Sequence, residues 1–149
     1  MKVRDVMEPH VVTVTPEHSY EDTARILNEH QVSGLPVVDA DGRLIGMVSE
    51  KDLYRILFPF YSSYYQDPVS YADLEKREDK IDEVRVKKVA VFMSRDVTTI
   101  GPDEPIMRAG GIMLAKRISR LPVVENGKLV GLVSRSRIYK EVLKQKLGL

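Results

Sequence analysis

Val32-Ser33-Gly34-Leu35-Pro36-Val37-Val38-Asp39, followed after a turn by Gly42-Arg43-Leu44-Ile45-Gly46-Met47-Val48-Ser49, comes back as Ile118-Ser119-Arg120-Leu121-Pro122-Val123-Val124-Glu125 and Gly127-Lys128-Leu129-Val130-Gly131-Leu132-Val133-Ser134. Working outward, Met7 answers to Met93, Val11 to Val97, Thr13 to Thr99, Pro16 to Pro102 and Ile26 to Ile112. One unit is used twice. A unit that repeats in this way cannot bury its apolar face alone and stacks on its copy. Function is to be sought where the copies meet or differ.

Each copy reads in the same order. Val11-Val12-Thr13-Val14 is β-rich and ends at Pro16, predicting a short strand. A helix follows, with Ser19 and Asp22 as an N-terminal capping pair and Ala24, Ile26 and Leu27 on its apolar face. Leu35–Val38 and Leu44–Val48 form a hairpin, and Ser49 starts a further helix carrying Leu53, Ile56 and Leu57. In the second copy Pro105 suits a first helical turn, and Asn126-Gly127 favours a two-residue type I′ turn. Gly110-Gly111 falls inside the second copy's helix, where each glycine costs about 1 kcal/mol relative to alanine. The expected compensation is close approach of another helix.

The segment between the copies is different in kind. Phe58, Phe60, Tyr61, Tyr64, Tyr65 and Tyr71 gather most of the aromatic residues around Pro59 and Pro68, and a charge-dense stretch from Asp73 to Lys88 follows. Leu74, Ile81 and Val84 suit one helical stripe. The favoured reading is aromatic packing beside a solvated helix face, with a lid over a ligand cleft or a cover for a partner surface as the sharper alternative.

At 149 residues the chain suits one compact domain or two small fused units, burying roughly 70% of its unfolded surface. A net charge of +1, from 23 basic and 22 acidic residues, argues against nucleic acid or an acidic membrane as partner. With no cysteine, disulfides, Cys-ligated zinc and thiol catalysis are excluded. The N-terminus lacks a signal-peptide pattern and no long uncharged apolar run occurs, so a soluble cytoplasmic protein is expected. His10, His18 and His30 share no metal-ligand spacing, no phosphate loop or dinucleotide fingerprint appears, and no nucleophile has a base beside it. Neither an enzyme nor a metal site is expected.

The end of each hairpin offers the one chemical feature: Gly46-Met47-Val48-Ser49-Glu50-Lys51-Asp52 and Gly131-Leu132-Val133-Ser134-Arg135-Ser136-Arg137. A strand feeding a helix presents backbone N–H groups that attract phosphate. A serine adds a hydroxyl, and a carboxylate one turn on can accept from two vicinal hydroxyls such as those of ribose. From spacing alone, ordinary helix capping is favoured.

The ordered series, present twice, resembles the cystathionine-β-synthase (CBS) domain family over Val3 to about Leu57 and Val89 to about Leu143. The resemblance implies an α+β fold of two CBS units, each β-α-β-β-α, packed with pseudo-twofold symmetry as a Bateman module with two clefts. The expected divisions are 1–57, a linker over 58–88, and 89–149. It further implies a non-enzymatic regulatory module that requires no cofactor and binds an adenosine-containing regulatory ligand, AMP, ADP, ATP or S-adenosylmethionine, chiefly in the first copy. Carried over by position, Val11 and Thr13 stand beside the base. Ser33, Gly34, Leu35 and Pro36 run along the wall, Ser49 falls at the phosphate and Asp52 at the ribose. The second copy has Thr99, Ser119, Arg120, Leu121, Pro122 and Ser134 in the matching places, but Arg137 where the ribose acid is expected. Arg120, Arg135 and Arg137 can serve phosphate or be surface arginines paired with Glu125 or Glu141. A homodimer and an unknown effector protein are the expected partners; the rival reading is a protein-interaction scaffold with empty clefts.

Overall fold

The computed structural model describes residues 1–58 and 78–149. Its elements in chain order are α1 (Val3–Val6), α2 (Tyr20–His30), β1 (Gly34–Val38), β2 (Leu44–Ser49), α3 (Glu50–Arg55), α4 (Lys80–Val84), α5 (Val89–Phe92), α6 (Ile106–Lys116), β3 (Arg120–Glu125), β4 (Lys128–Ser134) and α7 (Arg135–Leu147). The α+β class and the duplicated hairpins are as the sequence predicts: β1 pairs with β2 and β3 with β4. Of the aromatic stretch only Phe58 is described, its ring 5.0 Å from that of Tyr54. The lid expected over 58–71 otherwise lies outside the described residues, as does Leu74 of the charged segment.

Local chemistry accounts for the element ends. Ser19 caps α2 by accepting from the Asp22 N–H at 3.0 Å. Asn126 (φ 54°) and Gly127 (φ 80°) both lie in the left-handed region, as a type I′ turn demands. The longer first hairpin is closed by Asp39, whose Oδ1 accepts from the Asp41 and Arg43 N–H groups, both at 2.9 Å.

Two expectations change. The strand over Val11–Val14 reduces to a single parallel bridge, Val14 with Val37, matched by Ile100 with Val123. The neighbouring strands carry Pro36 and Pro122, which accept through their carbonyls from Val14 and Ile100 but have no N–H to return. And a Cβ built on Gly110 or Gly111 meets nothing within 4 Å, so among the described residues no helix makes the expected close approach.

The chain packs as two compact units that cut across the sequence repeat. One comprises Met1–Val12, Val38–Leu44 and Asp96–Leu149; the other comprises Thr13–Val37 and Ile45–Arg95. In the first, α1 is docked beside β4: Glu8 and Leu132 exchange N–H···O bonds of 2.8 and 3.0 Å. In the second, α5 does the same beside β2, where Met47 and Ser94 exchange bonds of 2.9 and 2.8 Å. The lead-in preceding each copy is thus packed in the unit that holds the other copy's hairpin end.

The cores repeat position by position. Val3, Ile100, Ile106, Met113, Leu121, Val123, Val133 and Ile138 are buried in one unit. Val89, Val14, Tyr20, Leu27, Leu35, Val37, Val48 and Leu53 are buried at the matching positions of the other. Tyr20, where the other unit has Ile106, keeps its polar end satisfied by donating to the Leu53 carbonyl at 2.8 Å, and its ring meets Phe92 edge-on at 5.6 Å. That burial raises the Tyr20 hydroxyl above its ordinary range.

Candidate ligand-binding site

At the end of the second hairpin the residues converge around a cavity of about 460 Å³ lined by Ser119, Arg120, Ser134, Arg135, Ser136 and Tyr139. The β3–β4 register sets Arg120 directly opposite Ser134. Ser119 is held from the other side, its carbonyl accepting from the Arg135 N–H at 2.9 Å. Ser134 caps α7, its Oγ accepting from the Arg137 N–H at 3.2 Å. Two of the first three N–H groups of α7 are therefore already engaged within the chain.

Arg137 takes a different course. Its Nε–H donates to the Val6 carbonyl at 2.8 Å and its guanidinium reaches the Glu8 carboxylate at 3.1 Å. The residue standing where a ribose acid is expected ties down the end of α1 and does not line the cavity. The anticipated pairing of arginines with Glu125 is made instead by Arg4, at 3.3 Å. Arg4 also grips Asp103 at 2.8 Å, and that hydrogen bond holds the Asp103 carboxyl below its usual range.

The first copy's turn is built differently. Ser49 and Asp52 form a reciprocal capping box: the Asp52 Oδ2 accepts from the Ser49 N–H at 2.9 Å and from its hydroxyl at 3.1 Å, while the Asp52 N–H donates to Ser49 Oγ at 3.4 Å. Ser33 offers its carbonyl to the Glu50 N–H at 2.9 Å. A Cβ on Gly34 would meet the Val48 carbonyl oxygen at 3.4 Å and the Ser49 Cβ at 3.7 Å. Capping thus uses Oδ2 of Asp52, and Oδ1 takes no part in the box.

Of the residues singled out in the sequence, Ser119, Arg120 and Ser134 share one cavity. Ser33, Gly34, Ser49 and Asp52 meet at the matching turn of the first copy. Leu35 and Leu121 are buried at 1% and 0% exposure, and Pro36 and Pro122 are buried beside them, the proline carbonyls accepting from the Val14 and Ile100 N–H groups. Thr13 and Val11 are half-buried, and Thr99 is exposed. Arg135, a phosphate candidate in the sequence, lines the same cavity, and Ser136 and Tyr139 complete it beyond the expected set; the three stand on one side of the first turns of α7. His18 Nδ1 accepts from the Thr15 N–H at 3.0 Å.

The model of the CBS domain family matches residues 3–59 and 86–144. The chain belongs to the CBS domain family. An uncharacterized protein of Methanocaldococcus jannaschii is 28% identical over 155 residues, spanning 96% of this chain and 92% of its own. Among solved structures, CBSX2 from Arabidopsis thaliana is similar with a TM-score of 0.77 at 28% identity, covering 97% of this chain and 96% of that one. CBSX2 has also been solved in complex with AMP, similar at a TM-score of 0.75. The pair also matches part of an enzyme: inosine-5'-monophosphate dehydrogenase of Korarchaeum cryptofilum is 32% identical over 130 residues, which make up 22% of that protein. No described helix of this CBS pair is long and apolar enough to cross a membrane.

Proposed function

We propose that this CBS pair is a non-catalytic regulatory module that takes up an adenosine-containing ligand through its first copy and passes occupancy on to a protein partner. The observation that carries the reading is the Ser49–Asp52 turn. It sets a carboxylate with an oxygen outside the capping box beside the Ser33–Gly34 edge, in a chain 28% identical to CBSX2, a protein solved with AMP. Asp52 accepts the ribose hydroxyls and Ser49 stands at the phosphate. Leu35 and Pro36 stand along the wall, and Thr13 stands beside the base. AMP is the first ligand to test, with ADP, ATP and S-adenosylmethionine after it. The partner is a second copy of the chain together with an effector protein, in the cytoplasm.

Thermal melting with and without AMP tests this directly, because a ligand at 100 times its dissociation constant adds about 2.7 kcal/mol of stability. A rise in melting temperature with AMP, lost in Asp52→Ala, is the expected result. No rise with any of the four adenosine ligands overturns it in favour of a protein-interaction scaffold.

A further inference from the structure

The two copies depart from each other in charge around one turn. Ser33 and Ser119, Ser49 and Ser134, and Tyr54 and Tyr139 are the same residue types at matching positions. Between them, however, Gly34 answers to Arg120, Glu50 to Arg135 and Asp52 to Arg137. Elsewhere the copies exchange one apolar residue for another in the core; here a glycine and two acids stand against three arginines. Two of the three changes of sign between the copies, at Arg135 and Arg137, fall in the first turn of α7 at and beside one cavity; the third, Asp22 against Arg108, lies on α2 and α6.

We propose that the second-copy cavity is a binding site for a phosphate chain of two or more phosphate groups and does not read ribose. Arg120 and Arg135 line it with three serines and the Tyr139 ring, and among the described residues the lining holds no carboxylate. Guanidinium groups bind phosphate oxygens through paired N–H donors, and serine hydroxyls supply single donors between them. The charge must come from these side chains, since the Arg135 and Arg137 N–H groups are committed to Ser119 and Ser134. Ribose recognition is missing for a structural reason. Arg137, in the place of Asp52, brings no acceptor and is held at Val6 and Glu8. At about 460 Å³ the cavity has room for a diphosphate. Such a chain is either free or the tail of a nucleotide, and the site recognises what the two have in common.

Calorimetry on the full chain with inorganic pyrophosphate tests the site. Binding is expected that weakens with added salt and survives saturating adenosine. Arg135→Glu, which installs the first copy's residue at an exposed first helical position where an acid is tolerated, should weaken it at least about tenfold, and Arg135→Lys by less. Arg120→Gly makes the same test from the strand side, with unliganded melting to report on folding. Displacement by ADP but not by adenosine assigns the site to a nucleotide's tail, and failure of ADP to displace assigns it to a free chain; both uphold it. No pyrophosphate binding, displacement by adenosine, or unchanged affinity in both arginine variants overturns it. An AMP titration of the same wild-type protein separates this outcome from that of the adenosine reading, since either ligand can fail alone.

Discussion

Gly131 lies hard against Met7: a Cβ placed on it would stand 2.6 Å from the Met7 sulfur and 2.9 Å from the Glu8 carbonyl oxygen. The same relationship recurs at Gly46, whose Cβ would meet the Ser94 carbonyl oxygen at 2.7 Å and the Met93 sulfur at 3.0 Å. Each lead-in therefore closes on a strand through a glycine that admits its backbone. Gly131→Ala and Gly46→Ala should each lower stability by about 1–3 kcal/mol, the cost of forcing a methyl group into packed backbone. Urea midpoints check this. A loss below a few tenths of a kcal/mol at both sites would mean that the lead-ins are not held as the structure has them.

Gly111 is the contrasting case. It sits in the interior of α6 with nothing within 4 Å of a built Cβ, so alanine there gains helix propensity and meets no obstacle. Gly111→Ala should raise stability by about 0.5–1 kcal/mol at low protein concentration. A loss that grows with protein concentration would instead mean that a second copy closes on this face, which also carries the exposed Met107 and Leu114.

Asp52 has two duties that can be separated. Removing the carboxylate takes away half of the capping box, worth about 1 kcal/mol of stability, and the proposed ribose acceptor, worth about 1.5–3 kcal/mol of binding. Asp52→Ala should thus melt a few degrees lower without ligand and bind AMP at least about tenfold more weakly. If only the melting temperature moves, Asp52 is a cap and nothing more.

Much of the fold is legible in the residues because duplication gives every assignment a second reading. Val14 and Ile100, or Leu35 and Leu121, support one another as core from the amino-acid pattern alone. The hairpin turn at Asn126-Gly127 is equally plain, since left-handed backbone at both positions restricts the choice of residue. Two features are out of reach of such reading. A four-residue helix such as α1 carries no periodicity, so nothing in Val3-Arg4-Asp5-Val6 says whether it packs in the unit of its own copy's hairpin end or of the other's. Arg137 reads only as a departure from a pattern, because its partners, Val6 and Glu8, lie far away in sequence. The strand expected over Val11–Val14 fails for a local reason: its neighbour carries Pro36, and a ladder needs donors on both sides.

The ion pair of Glu21 with Arg85 makes a pH prediction. Arg85 Nη2 stands 2.6 Å from the carboxylate, and this hydrogen bond holds the Glu21 carboxyl below its usual range. The unfolded chain therefore takes up this proton at a higher pH than the native one. The pair's contribution is fully present above the ordinary glutamate range and is lost as pH falls through the lowered native value. Both side chains are exposed, so salt screens the effect. Arg85→Gln should make the fall in melting temperature between neutral pH and about pH 3 less steep than in the parent protein. An unchanged slope at low salt would show the pair to be inert.

Arg137 carries the last prediction, because its two bonds fasten α1 to the first turn of α7. The Nε–H to Val6 carbonyl bond at 2.8 Å is part-buried, whereas the Glu8 contact at 3.1 Å is exposed, so the former should supply most of the hold. Arg137→Ala leaves the Ser134 cap intact, since that bond uses the Arg137 backbone N–H. It should cost about 1 kcal/mol, a charge-assisted hydrogen bond discounted for exposure. Local opening should show before global unfolding does: hydrogen exchange at the Glu8 and Leu132 N–H groups, which bond each other's carbonyls, should quicken several-fold while exchange in the β1–β2 hairpin stays as it was. Glu8→Gln, which removes only the exposed contact, should shift it far less. Equal effects from the two variants would mean that the lead-in is held by the surface ion pair and not by the Val6 carbonyl.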